Sequence, residues 1–206
     1  MNIGIESVYI VSALMFGLGL KLLSSPATAR KGNMLSALGM LLAVVATLFN
    51  QEIIDFKLIA GGIILGSIIG VLAARLVAMT AMPEMVALLN GFGGIASLLV
   101  GWAEYNTTMA PTNFTAITIF LAVMIGGVTF SGSIIAWAKL KEFWIGNFGI
   151  SKAFVFKGQQ VFNSLLVLAI LACGALFVMN PAEGYQYFLV IIGLGFLLGI
   201  MAVMPI

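Results

Sequence analysis

The stretch MTAMPEMVALLNGFGGIASLLVGWAE, Met79 to Glu104, decides how this chain is read. Pro83 suits the first turn of a helix, where its missing N–H costs nothing. Glu84 follows it, near the positive end of the helix dipole. The apolar run that comes next has the length of about 20 residues needed to cross a bilayer. Within it Asn90, Gly94, Ser97, Gly101 and Glu104 are spaced 4, 3, 4 and 3 residues apart. On a helix that spacing puts them along one face. Met85, Val86, Leu88, Leu89, Leu98 and Leu99 cover much of the remainder. A small, polar stripe on an apolar helix is expected to look at other helices or at water, not at lipid.

The composition extends this reading to the whole chain. Of its 206 residues 62% are hydrophobic and 8% charged, whereas soluble chains carry roughly a quarter charged residues. Apolar runs recur to the end and predict an all-α, polytopic transmembrane helix bundle. About seven membrane helices are expected, near residues 4–23, 33–50, 57–78, 83–105, 114–138, 158–179 and 185–205. Residues 1–206 read as one transmembrane domain, with a lipid bilayer as its surroundings. Met1 to Leu23 has no basic leader and no small-residue cleavage site, so it reads as the first membrane helix and not as a removed signal peptide. The single cysteine, Cys173, cannot form an internal disulfide and is expected to be a small apolar packing residue. The chain contains no histidine, which excludes His-based acid–base chemistry and His metal ligands within it.

The basic residues set an orientation. With the N-terminus outside, Lys21, Arg30, Lys31, Arg75, Lys139, Lys141, Lys152 and Lys157 fall on the cytoplasmic side and only Lys57 falls outside. Short loops obey such a bias. The longest loop, Lys139 to Lys157, is basic and aromatic; Phe143, Trp144 and Phe148 suit a segment lying among headgroups. It reads as a membrane-surface anchor, with docking of a soluble domain as the alternative.

Other helices carry smaller signals. Gly62, Gly66 and Gly70 recur every four residues on the third, and Gly195 and Gly199 on the seventh; such ridges let another backbone approach. On the fifth, Gly126, Thr129, Ser133 and Ala136 share a face, with Ser131 and Gly132 beside it. Hydroxyls in membrane helices often bond back to their own backbone, which is a structural role. Facing Asn90 and Ser97 across an interface, Thr129 and Ser133 could instead hold a file of water, since intramembrane polar residues mark pathways. The candidate water-file residues are therefore Asn90, Ser97, Thr129 and Ser133, and the candidate close-packing residues Gly66, Gly94 and Gly132. No phosphate-cradling loop is found: GFGG, Gly91 to Gly94, lies inside a membrane helix. Paired intramembrane carboxylates, a Cys/His cluster and a nucleophile triad are absent from the sequence as well. No catalytic, cofactor-binding or metal-binding residue is therefore assigned.

Three segments carry a resemblance. MTAMPEMVALLNGFGG, GGVTFSGSIIAWAKL (Gly126 to Leu140) and YIVSALMFGLGLKLLSSPATARKGN (Tyr9 to Asn33) resemble the beta subunit of proton-translocating nicotinamide nucleotide transhydrogenases. The resemblance implies a domain that couples proton movement across the membrane to hydride transfer between NAD(H) and NADP(H), with Asn90, Ser97, Thr129 and Ser133 as its proton path. Both cofactors would be bound by other domains of the complex. It implies as partners the alpha subunit or subunits and an NADP(H)-binding domain outside residues 1–206. It further implies a homodimer of the whole enzyme in the inner membrane, and no nucleic acid. Many members of that family have a histidine where this chain has Asn90, and in some a partner subunit is thought to carry the titratable group. The alternatives from the residues alone are a small secondary transporter or channel subunit, or a structural membrane scaffold.

Overall fold

In the computed structural model of the chain, the described residues are 3–49, 56–108, 111–142, 144–145, 148–149 and 153–206. Phe143 and Lys152, named above, lie outside them. Seven helices among the described residues are long and apolar enough to cross a membrane. They are α1 (Ile3–Leu23), α2 (Ala29–Leu48), α3 (Phe56–Leu76), α4 (Met82–Thr107), α5 (Asn113–Leu140), α6 (Gln159–Met179) and α7 (Tyr185–Val203). Most ends fall within a few residues of expectation. The second helix begins about four residues early, because Thr28 and Ala29 N–H both donate to the Ser25 carbonyl and carry the turn straight into the helix. Pro83 sits in the first turn of α4 after a single 3-10 turn, Met79–Ala81. The Thr112 hydroxyl caps α5 by accepting from Thr115 N–H at 3.2 Å, one of the orphan donors at a helix start. Within the long loop, β1 (Trp144–Ile145) pairs antiparallel with β2 (Phe148–Gly149).

The chain forms two compact units, Met1–Val71 and Leu72–Ile206. In the first, α1 and α2 form an antiparallel hairpin. A Cβ placed at Gly32 would lie 2.7 Å from the Gly19 carbonyl oxygen, and one at Gly39 would lie 2.9 Å from that of Ser12. The backbones touch only because no side chain stands between them. Tyr9 and Thr47 hydroxyls meet at 3.0 Å across the same hairpin.

The second unit is built on α5, which is packed by α4, α6 and α7. Ten of its residues are buried, three of them glycines. Away from the Lys139 end the packing is bulky. Leu98, Ile119, Val123, Ile170, Phe177, Phe188 and Ile191 form the fully buried core. Tyr105 stacks on Phe188 with centroids 4.8 Å apart and donates to the Pro181 carbonyl at 2.8 Å. The turn between α6 and α7 is thereby pinned to α4. Toward the Lys139 end small residues take over, and α5 meets its neighbours backbone to backbone. With lipid as apolar as leucine, burial drives helix association weakly, and close van der Waals packing has to supply it.

The glycines divide sharply. A Cβ at Gly94 would meet Phe130 N at 2.8 Å and the Gly126 oxygen at 2.9 Å, and one at Gly132 would meet the Gly199 oxygen at 3.3 Å. A Cβ at Gly199 would collide with the Val128 carbonyl and the Ser131 hydroxyl. By contrast, a Cβ at Gly62, Gly66 or Gly70 would meet nothing within 4 Å, and α3 buries no residue. The close contact expected at Gly66 is not made among the described residues of this chain. Sequence periodicity reports that a face is smooth; it does not report whether a neighbour lies against it. Gly94→Leu and Gly199→Leu should therefore each lower stability in detergent by about 1–3 kcal/mol through overpacking. Gly66→Leu should leave the melting temperature of this chain unchanged. A melting loss at Gly66 equal to that at Gly94 would refute this division.

Candidate functional site

The polar residues singled out from the sequence lie along the seam between α4 and α5. The seam closes because Gly91, Gly94 and Gly101 of α4 are buried against α5, with Gly126 opposite: its Cβ would lie 2.6 Å from the Gly94 oxygen. This close approach brings side chains along the seam within reach of each other. Asn90 Nδ2 donates to Ser133 Oγ at 2.9 Å, linking residues 43 apart in sequence. Ser97 Oγ donates to the Ala122 carbonyl at 3.3 Å. Thr129 Cβ sits 2.9 Å from the position a Gly94 Cβ would take. Thr129 also lines a cavity of about 250 Å³ between α5, α6 and α7, whose other walls are apolar.

The four residues differ in burial. Ser133 is 7% exposed, Ser97 and Thr129 are half-buried, and Asn90 is exposed. Asn90 was expected to face the bundle interior. One amide donor does reach across the seam, but the residue as a whole lies on the rim. At a rim position an amide can serve the buried hydroxyl and still face a further helix or water. Ser131, beside this face, is buried and back-bonds to the Gly127 carbonyl at 3.0 Å. Its role is local, as is common for membrane hydroxyls. Glu104, placed on the same stripe by its spacing, is exposed at the end of α4 and accepts from the Thr108 hydroxyl at 2.9 Å.

A second polar cluster escaped the sequence reading. Lys139 Nζ donates to the Met204 carbonyl at 2.6 Å, Gln159 Nε2 to the Met201 carbonyl at 3.0 Å, and Phe154 N–H to Met204 at 3.0 Å. Together they satisfy carbonyls that the C-terminal end of α7 would leave orphaned, and the Lys139 ammonium suits the negative end of that helix dipole. The signal was available: Gln159 and Asn163 are polar residues at i and i+4 on an otherwise apolar helix, the same pattern that marked α4.

Chemically, the seam can order water and pass hydrogen bonds along it. An amide and three hydroxyls neither gain nor lose a proton near neutral pH. Among the described residues, no three His, Cys, Asp or Glu side chains come together in a metal-binding arrangement. The Asn90–Ser133 bond itself is open to measurement. A double-mutant cycle of Asn90→Ala and Ser133→Ala in detergent should give a coupling of about 0.6 kcal/mol, typical of side-chain bonds between membrane helices. Zero coupling would mean that the pair does not persist.

Comparison with known proteins points the same way as the stripe on α4. The profile of the NAD(P) transhydrogenase beta subunit family matches residues 5–206. Two NAD(P) transhydrogenase beta subunits from Rhodospirillum rubrum, one of them from a defined strain, are each 34% identical to this chain over 143 residues. Those matches cover 66% of this chain and 31% of the relatives, so the matched region spans about a third of their length. With its membrane helices packed through Gly94, Gly126 and Gly132 and its family profile matched almost end to end, this chain belongs to the NAD(P) transhydrogenase beta subunit family.

Proposed function

We propose that this chain is the proton-translocating membrane part of an NAD(P) transhydrogenase and that the α4–α5 seam lines its proton path. The observation that carries the reading is the Asn90–Ser133 bond across the seam, in a chain whose family match covers residues 5–206. Hydride passes between NAD(H) and NADP(H) in soluble domains elsewhere in the complex, and this chain binds neither cofactor. Its partners are the alpha subunit or subunits and the NADP(H)-binding domain, and the whole enzyme is a homodimer.

Asn90, Ser97, Thr129 and Ser133 orient water along the rim of the seam. The proton itself is carried by a titratable group on a partner helix, because none of the four can titrate near neutral pH. The exposed position of Asn90 leaves it free to meet such a helix. The enzyme sits in the inner membrane with the N-terminus outside. Eight of the nine basic residues then lie on the cytoplasmic side, as short loops require.

Asn90→Leu in the complete enzyme should block proton uptake into vesicles and the hydride transfer coupled to it. Nucleotide binding by the separate soluble domains should be kept. Asn90→His should retain more activity, since an imidazole can both bond and titrate. Wild-type pumping by Asn90→Leu would reduce Asn90 to a packing residue and remove this helix from the path. For the orientation, a Ser151→Cys probe in a Cys173→Ala background should react with impermeant reagents from the cytoplasmic side. Labelling from the outside alone would invert the topology.

A further inference from the structure

Among the described residues four buried side-chain atoms have no hydrogen-bond partner: Ser12 Oγ, Ser36 Oγ, Gln159 Oε1 and Asn163 Oδ1. The serines are donors as well as acceptors, and a helical hydroxyl can turn to the carbonyl one turn back on its own helix. The Asn163 amide oxygen, in the second turn of α6, has no such recourse, and Gln159, the first residue of α6, turns its amide toward Met201 of α7. An amide oxygen only accepts, and the backbone N–H groups beyond the first turn of a helix are already spent on the helix itself. Leaving a buried acceptor empty costs on the order of a lost hydrogen bond.

Gln159 and Asn163 are one turn apart on one face of α6. That face looks at α7, because the Gln159 amide nitrogen donates to the Met201 carbonyl. Gln159 is 6% exposed, and its nitrogen and oxygen are therefore held in a closed setting. Asn163 is half-buried. The location is the end of the bundle where Lys139 bonds to the Met204 carbonyl. A cavity of about 360 Å³ at this end is lined by Ala136, Lys139, Leu140, Val203 and Ile206, and so lies apart from Gln159 and Asn163.

We propose that Gln159 Oε1 and Asn163 Oδ1 form a buried water site between α6 and α7. Two acceptors a helical turn apart match the two O–H donors of a single water, and buried waters typically make about 3 hydrogen bonds to groups otherwise unsatisfied. A metal cation fits poorly: two amide oxygens supply too few ligands for a hard cation, and the Lys139 ammonium is bound close by on Met204. The bound water keeps its lone pairs free for a further donor. The site extends the hydrated region inward from the basic end of the bundle, along a face that the α4–α5 seam does not use.

The test is occupancy, which does not depend on whether the enzyme pumps. The complete enzyme in lipid nanodiscs, imaged at a resolution that shows waters, should have a density within hydrogen-bond distance of both oxygens. Variants give a second readout on the same density. The density should be present in the wild type and lost in Gln159→Leu. If Gln159→Leu fails to assemble, Asn163→Leu removes one acceptor without touching the Met201 contact and should give the same loss. An empty site, a protein side chain donating to the two oxygens, or an undiminished density in Asn163→Leu would each overturn the proposal.

Discussion

The structure of the second unit depends on backbones approaching across α5 at glycine. Gly94 and Gly126 face each other so closely that a methyl on either would strike the other's carbonyl. On the opposite side of α5, Gly199 lies so close that a methyl on it would strike the Val128 carbonyl, and one on Gly132 would press on the Gly199 oxygen at 3.3 Å. In lipid this contact must hold the helices together with little help from apolar burial. Removing two side chains brings many main-chain atoms into van der Waals range at once, and each pair adds roughly 0.1–0.2 kcal/mol. The sum holds one helix between two others, with Leu98 packed beside Gly126 and Gly127. The bulky core lies further along, where Phe177 and Phe188 fill the space that glycine leaves empty elsewhere.

The polar chemistry follows from the same constraint. Asn90 can reach Ser133 only because Gly91 and Gly94 let α4 settle onto α5. A larger residue at either glycine would move the helix axes apart and stretch a 2.9 Å bond beyond its range. The polar stripe and the glycine stripe are therefore one device: the glycines set the depth of contact, and the polar residues at its rim take their reach from that depth. On the far side of α5, Ser131 is equally buried but spends its hydroxyl on its own helix. Two serines two residues apart thus do different work, decided by which neighbour each one faces.

Much of this was legible in the sequence, and the reasons differ from element to element. The seven spans followed from apolar run length, because the hydrocarbon core sets a helix length. The face of α4 followed from spacing, because Asn90, Gly94 and Ser97 can share one surface only as a helix. Contact was another matter. Gly62, Gly66 and Gly70 repeat as regularly as the glycines of α4, yet nothing described lies against them. A smooth ridge is a local property, and its partner is a tertiary one. The Lys139 and Gln159 bonds to α7 were missed for a related reason. Each joins a side chain to a backbone carbonyl 42 or more residues away, and a carbonyl has no letter in the sequence.

The seam also limits what this chain can contribute to moving a proton. An amide and hydroxyls conduct by reorienting hydrogen bonds and do not store charge near neutral pH. With no histidine in the chain, a proton crossing along Asn90, Ser97, Thr129 and Ser133 has nowhere on that line to stop. A path without a stopping point cannot by itself be coupled to a distant reaction, because coupling requires a state whose population another site can bias. On the proposed function, the group that titrates must therefore come from outside the seam and stand beside its rim. Asn90 is exposed at that rim while its amide is anchored on Ser133. An anchored amide presents its oxygen in a fixed direction, and a fixed acceptor favours one orientation of whatever donor approaches it. The seam would then act as the aligned half of a two-part relay, whose switching half is carried by the partner helix.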